Sequence, residues 1–238
     1  MKNARNEELP MRIVANQEEE DFILGNHFDI AMPVFIKLFT DGELYIECYP
    51  QVEALIRRHV SEYGAQILST RALRALHTHL APYLQEWGYR MEKNALRRYD
   101  IYRSSGEVCS DFQRAGVRRL DACDEDKNRT TQDIAYAVGN GAIVYGYEEN
   151  GEILSIAATH IYDEAFPLDV EVMVETVPSA RRRGLALSCL CALERELFHM
   201  GHGVEYRCST RNAASGSVAR RAGFLRVGQC YYCALRAL

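Results

Sequence analysis

With 238 residues, 47% of them hydrophobic and 26% charged, the chain holds enough apolar material for one large core or for two smaller ones bridged by a shared sheet. Its 28 Lys and Arg against 33 Asp and Glu leave a net charge of -5. That balance excludes a general binder of nucleic acid or of acidic membranes, whose affinity comes mostly from neutralised phosphates, so any phosphate site must be local.

The first stretch, "MKNARNEELPMRIVANQEEED", is polar and acidic and has no apolar core of a signal peptide. No later run approaches the roughly 18 to 20 apolar residues of a spanning helix, so the cytoplasm is the expected compartment and no membrane partner is expected. Eight cysteines are present. Cys48, Cys109, Cys123, Cys189, Cys191 and Cys208 fall in apolar or strand-like segments of a chain without an export signal, which reads as mostly reduced core thiols.

Residues 1–115 read as a first domain, mixed but mainly helical. In "VEALIRRHVSEYG" the residues Val52, Leu55, Ile56 and Val60 share one helical face. In "ALRALHTHLAPYLQEWG" Leu73, Leu76 and Leu80 do the same, before Pro82 is expected to interrupt or kink the helix. "ELYIECY" reads as an edge strand. "HTH" (His77 to His79) lies in helical surroundings and reads as structural, and the aromatic and basic mixture after Trp87, "YRMEKNALRRYDIY", reads as a packed amphipathic strand rather than an RNA surface.

A polar stretch, "CDEDKNRTTQD", marks an exposed loop near the junction with a second domain, residues 116–238. There "GAIVYGYEENGEILSIAATHIY" reads as two strands joined by a tight hairpin at Asn150 and Gly151. "LDVEVMVETV" alternates Val170, Val172 and Val174 with Glu171, Met173 and Glu175, as a strand with two differently used faces does. "GLALSCLCALERELFHMG" spaces Ala186, Leu190, Leu193 and Leu197 as a helix ending at Gly201. "GVEYRCST" is then a strand, "NAASGSVARRAG" a short helix capped by Asn212, and "FLRVGQCYYCALRAL" a strand pair turning near Gly228. "CYYC" (Cys230 to Cys233) is a lone pair in a strand, where residues three apart face opposite ways, so no metal site is expected.

Between strand and helix lies "PSARRRGLALS", Pro178 to Ser188. A strand that enters a helix through a glycine turn leaves the first helical N–H groups unpaired, at the positive pole of the helix dipole. An anion such as a diphosphate is favoured there. Gly184 lets the backbone approach a ligand, Ala186 keeps the next turn small, and Arg181, Arg182 or Arg183 can add a charged contact. The plain alternative is that the arginines are a solvated face.

"VPSARRRGLA" resembles the acetyl-CoA signature of the GCN5-related N-acetyltransferases, with Arg181, Gly184 and Ala186 at the matching positions and Pro178 where that family often has proline. "STRNAASGSVARRAGF" is similar to the family's second signature through Asn212, Gly223 and Phe224. The resemblance covers roughly residues 117–238. It implies an α/β fold with a mixed central sheet, two strands that splay apart, and flanking helices, here with a mostly helical N-terminal half forming one wall of the acceptor site. It also implies acetyl-CoA as cosubstrate. The pantetheine would lie along the strand Val172 to Thr176, touching Val174 and Thr176, the pyrophosphate on the amides of Arg182, Arg183, Gly184, Leu185, Ala186 and Leu187, and Asn212 and Ser215 near the same ligand.

Acetyl transfer needs a deprotonated amine, a stabilised oxyanion and a leaving thiolate, and alignment alone supplies much of the rate. Glu171 and Glu175 share a strand face and are the first and second choices of base, with His160 a third. The chain departs from the family at Ala219, where a tyrosine often serves as acid. Ser215, a water, or a tyrosine from elsewhere such as Tyr231 or Tyr232 would then assist the thiolate, or the thiolate leaves unassisted. In this form of the motif the chain resembles antibiotic self-resistance acetyltransferases of the zwittermicin type. The expected reaction is direct acetyl transfer to an amine of a small molecule or peptide. A non-catalytic acyl-CoA-binding regulatory domain is the alternative. Oligomeric state is open, a homodimer being one option.

Overall fold

A computed structural model describes residues 11–15, 33–91, 96–106, 112, 114–160, 169–233 and 235–237. The chain forms two compact units, Met1–Asp100 with Val227–Leu238, and Ile101–Arg226. The division therefore falls at residues 100 and 226 rather than near 116, because the end of the chain returns to the first unit.

The first unit contains strands β1 (Met11–Ala15), β2 (Val34–Phe39), β3 (Leu44–Cys48) and β4 (Tyr89–Met91), helices α1 (Glu53–Tyr63) and α2 (Thr70–Glu86), and two strands from the far end of the chain, β11 (Leu225–Tyr232, from Val227 onward) and β12 (Leu235–Ala237). β3 pairs with β1 in parallel and with β2 antiparallel, so "ELYIECY" is an interior strand and not an edge. Its alternating Leu44, Ile46 and Cys48 are all fully buried. They pack with Val34 and Ile36 of β2, with Leu55 and Ile56 of α1, and with Leu73, Leu76, Leu80 and Leu84 of α2.

The side chain of Ser69 caps α2 by accepting from the Ala72 N–H. The helix runs through Pro82 to Glu86 without ending there. Leu80 and Leu84 are buried on either side of the proline, and that burial offsets a proline cost of about 3 kcal/mol. Trp87 sits against Tyr49 and Tyr83, a packed aromatic cluster. His77 Nε2 bonds the Tyr231 hydroxyl, which gives the first histidine of "HTH" its structural role.

Gly228 does not turn the chain: β11 continues through it to Tyr232, pairing with β2 from Gly228↔Phe39 to Tyr232↔Phe35. A Cβ at this glycine would lie 2.6 Å from the Leu38 carbonyl oxygen, so the residue serves close approach of two strands. The expected partner of the last strand was its neighbour in sequence, but β12 pairs with β4.

The second unit contains the end of β5 (Arg98–Arg103), then β6 (Val117–Arg119), α3 (Ile134–Gly139), β7 (Val144–Glu149), β8 (Glu152–Thr159), β9 (Asp169–Thr176), α4 (Leu185–His199), β10 (Gly203–Ser209) and α5 (Ala213–Arg221). Its sheet runs in the order β5, β10, β9, β8, β7, β6. β9 and β10 are parallel, and β6, β7, β8 and β9 are successive antiparallel neighbours, so the sheet is mixed. Leu185, Leu190, Leu193 and Leu197 of α4 and Ala219 of α5 pack with Val172, Val204 and Tyr206 on one face. Ile134 of α3 packs with Val144, Ile156 and Met173 in a separate cluster. This is the α/β sheet with flanking helices expected from the sequence.

The hairpin between β7 and β8 turns on Asn150 (φ 53°) and Gly151 (φ 80°), as "ENG" predicts. The polar "CDEDKNRTTQD" is more ordered than an exposed loop. Residues Ala122–Lys127 form a short 3-10 helix closed by a reciprocal capping box between Asp121 and Asp124. Asp124 is buried, and the Arg118 guanidinium bonded to both its oxygens holds its carboxyl well below the usual range.

Seven cysteines lie among the described residues, all as free thiols; Cys123 is exposed and the other six are buried. Cys109 lies outside the described residues. No described helix is long and apolar enough to cross a membrane. Among the described residues no three His, Cys, Asp or Glu side chains gather as a metal site.

Candidate functional site

Strands β9 and β10 pair through Gly203↔Asp169, Val204↔Val170, Glu205↔Glu171 and Tyr206↔Val172. The pairing stops there, although β9 continues to Thr176 and β10 to Ser209. Neighbouring parallel strands that lose their ladder part way open a crevice toward their carboxyl ends. That end is where ligands enter open α/β sheets. Val174 and Thr176 remain fixed from the other side, since β8 pairs with β9 up to Ser155↔Thr176 and the Thr176 hydroxyl lies 2.7 Å from Ser155 Oγ.

Both strands lead into helices at this end. After Thr176 the chain makes a short 3-10 turn, Pro178–Ala180, and reaches Gly184 in the left-handed conformation (φ 79°) as the residue before α4. Arg182 also has positive φ, at 63°. The first helical bond is Ser188 N–H to the Gly184 carbonyl at 3.1 Å. The N–H groups of Leu185, Ala186 and Leu187 thus have no intrahelical acceptor, and no side chain caps this end. Leu185 and Leu187 are buried and anchor the turn.

The three arginines are not equivalent. Arg181 Nε donates to the Thr176 carbonyl at 3.2 Å and pins the turn to the end of β9. Arg183 makes a two-pronged ion pair with Glu149, at 2.5 and 3.0 Å, which also holds the Glu149 carboxyl below the ordinary carboxylate range. Arg182 carries the strained backbone between them. Sequence reading did not single out Arg114, yet a Cβ at Gly184 would lie 3.7 Å from its Nη2. Arg114 stands seventy positions upstream in an unremarkable "FQRAG", and only the folded chain brings it to the turn.

Helix α5 starts differently. Asn212 Oδ1 accepts the Ser215 N–H at 3.1 Å, the cap expected from the sequence. Ser215 Oγ lies 2.6 Å from the Tyr206 hydroxyl. Ala219, one turn further along, is fully buried. Tyr231 and Tyr232, weighed from sequence as donors to the thiolate, are engaged within the first unit, Tyr231 with His77 and Tyr232 stacked on Tyr99 at 4.8 Å.

The two candidate carboxylates are both held. Glu171 Oε2 is 2.9 Å from Arg207 Nη1, and its Oε1 is 3.7 Å from His160 Nε2. Arg207 also bonds the buried Glu205, at 2.7 Å. Glu175 accepts from the Thr131 N–H at 3.0 Å, from the Thr131 hydroxyl at 2.9 Å and from Gln132 Nε2 at 3.3 Å, fastening that loop to the end of β9. They share the strand face predicted, but four residues apart each serves a different local network.

No protein-family model matches the sequence, and no curated protein matches it. Solved structures do. A GNAT-family acetyltransferase structure from Novosphingobium aromaticivorans aligns with a TM-score of 0.51 at 21% identity, over 63% of this chain and 68% of that one. A GNAT-family acetyltransferase from Colwellia psychrerythraea aligns at 0.47 and 13% identity, over 61% of this chain and 57% of that one. A GCN5-related N-acetyltransferase-like protein from Streptococcus suis aligns at 0.47 and 13%, over 68% and 67% of the two chains. With the parted parallel strands and the uncapped glycine turn, the similarity to the first of these shows that this chain has the fold of the GCN5-related N-acetyltransferases.

Proposed function

We propose that the protein is an acetyl-CoA-dependent N-acetyltransferase that moves an acetyl group directly to an amine of a small molecule or peptide. The observation that carries this reading is the end of the β9–β10 ladder at Val172↔Tyr206 beside a helix whose first N–H groups are uncapped. An extended arm can pair with the strand edge beyond Val172, while a diphosphate accepts from the amides of Arg182 to Leu187. The residues present fit both parts: Val174 and Thr176 lie on the strand beyond the ladder, and Arg114 brings a positive charge to the turn.

In the transfer step the chain's chief contribution is alignment, since holding thioester and amine together removes much of the entropic barrier. Glu171 remains the first choice to accept the amine proton, through Oε1, the oxygen on the His160 side. Glu175 is second, because three donors already occupy it. Asn212 serves as a cap and keeps its amide Nδ2 for the ligand.

One observation favours a second reading, an acyl-CoA-binding regulatory domain without catalysis: both carboxylates are engaged by the protein itself. Calorimetry with acetyl-CoA and CoA, followed by thiol release against a panel of amines, separates the two. Binding with turnover supports the enzyme, and binding without turnover supports the regulatory domain. No binding by either ligand at tens of micromolar would sink both.

A further inference from the structure

Ala219 has no group able to reach a leaving thiolate, yet one turn earlier on α5 the Ser215 hydroxyl is paired with that of Tyr206. Tyr206 is the last residue of β10 paired with β9, so its side chain springs from the vertex of the crevice. It is 2% exposed, with its ring edge-on to Phe224 and its hydroxyl 2.6 Å from Ser215 Oγ. Ser215 is only half-buried, and its backbone is fixed by the Asn212 cap. The pair thus has an inner member and an outer one.

Hydrogen-bond accounting orients it. A buried phenol has one proton to donate and spends it on the nearest acceptor, which is Ser215 Oγ. Burial also pushes the Tyr206 phenol up to about 12, so it keeps that proton at neutral pH. The 2.6 Å contact allows either hydroxyl to donate; with the phenol proton spent on Ser215 Oγ, the serine turns its own proton outward, where no other described group accepts it.

We infer that Ser215 donates this hydrogen bond to the sulfur of the departing thiolate, with Tyr206 as the residue that orients it. The inference rests on the acetyl-transfer reading above. As the amine nitrogen bonds to the carbonyl carbon, the carbon–sulfur bond breaks and its electron pair goes to sulfur. The amine proton leaves to the base. Ser215 and Tyr206 both retain their protons; they stabilise the thiolate without protonating it, and the thiolate then leaves as such.

The test needs no knowledge of the acceptor. The thiol of bound CoA is titrated by its ultraviolet thiolate absorbance in the wild type, in Ser215→Ala and in Tyr206→Phe, with CoA affinity measured alongside. The expected result is a bound thiol titrating about one unit below its free value in the wild type, restored to the free value in Ser215→Ala and partly restored in Tyr206→Phe, with affinity changed less than about threefold. Thiol release from acetyl-CoA with an accepted amine should fall about 10- to 100-fold in Ser215→Ala, in kcat and not in KM. A bound thiol that titrates alike in all three proteins overturns the inference alone. Failure of wild-type protein to bind CoA overturns it together with the acetyl-transfer reading.

Discussion

Helices α4 and α5 follow two neighbouring parallel strands and begin at the same end of the second unit's sheet, but they treat their polar groups in opposite ways. α5 settles all but one of these: Asn212 caps the Ser215 N–H, Tyr206 bonds the Ser215 hydroxyl and leaves only its proton open, and Arg220 donates to the Tyr102 hydroxyl at 3.0 Å. α4 leaves groups unsettled. It starts on a left-handed glycine with no side-chain cap, and further along it buries Glu194 with only one carboxyl oxygen bonded, by Ser104. Evolution readily supplies a serine or aspartate cap at a helix start, worth about 1 kcal/mol, so donors left open at the mouth of a crevice are a reason to expect a ligand there.

The largest effect should come from the unsettled carboxyl. Glu194 is fully buried, and burial raises its carboxyl from the ordinary 4.5 to about 7. Because the folded value is raised, the fold favours the protonated form: the full stability is present below pH 4.5 and is lost as pH climbs through 7. The loss over that interval amounts to about 3 kcal/mol. Urea unfolding of the wild type across pH 4 to 8 should show that decline, and Glu194→Gln should flatten it; an equal slope in both proteins would remove Glu194 as the cause. Next comes Gly184→Glu, which places a negative charge on the open donors and a side chain at φ 79°. CoA affinity should drop about 100-fold by calorimetry while the circular dichroism spectrum is kept, since open donors and the dipole together favour an anion and reject a second one. Retained affinity would show that the turn does not hold the diphosphate.

Much of the second unit could be read from sequence because its signals are local. The Val170, Val172 and Val174 alternation, the Asn150–Gly151 turn, the Asn212 cap and the Gly184 turn each depend on residues a few positions apart. What escaped depends on partners distant in the chain. Arg114 reaches Gly184 and Glu149 takes Arg183, and no spacing rule connects such pairs. The same reason explains the first unit's surprises. Gly228 reads locally as a turn, but its neighbour is Leu38, and "ELYIECY" reads as an edge because nothing local announces its partner β1. Pro82 was overridden by leucines packing around it, a tertiary effect that propensity does not contain.

The arginines around the α4 turn sharpen the contrast further. Arg114 forms no ion pair with a described residue, whereas Arg183 is already committed to Glu149. Arg114→Ala should therefore weaken CoA binding about 10-fold, more steeply at low salt, while Arg183→Ala should change it less than about threefold. Equal losses in both would mean that Arg183 exchanges Glu149 for the ligand.

The smallest effect is expected at the settled helix. Asn212→Ala removes the α5 cap and should lower stability by about 1 kcal/mol, read as a fall in Tm of about 2 to 4 °C for a chain of this size. Asn212→Ser, which can accept the same N–H, should restore most of it. CoA affinity should fall in both variants, by about threefold, because each loses the amide Nδ2 left for the ligand while only Oδ1 is spent on Ser215. The two variants separate the roles of the one side chain. If both lose affinity while Asn212→Ser recovers stability, the amide Nδ2 binds the ligand directly, and α5 is then less self-contained than its hydrogen bonds make it.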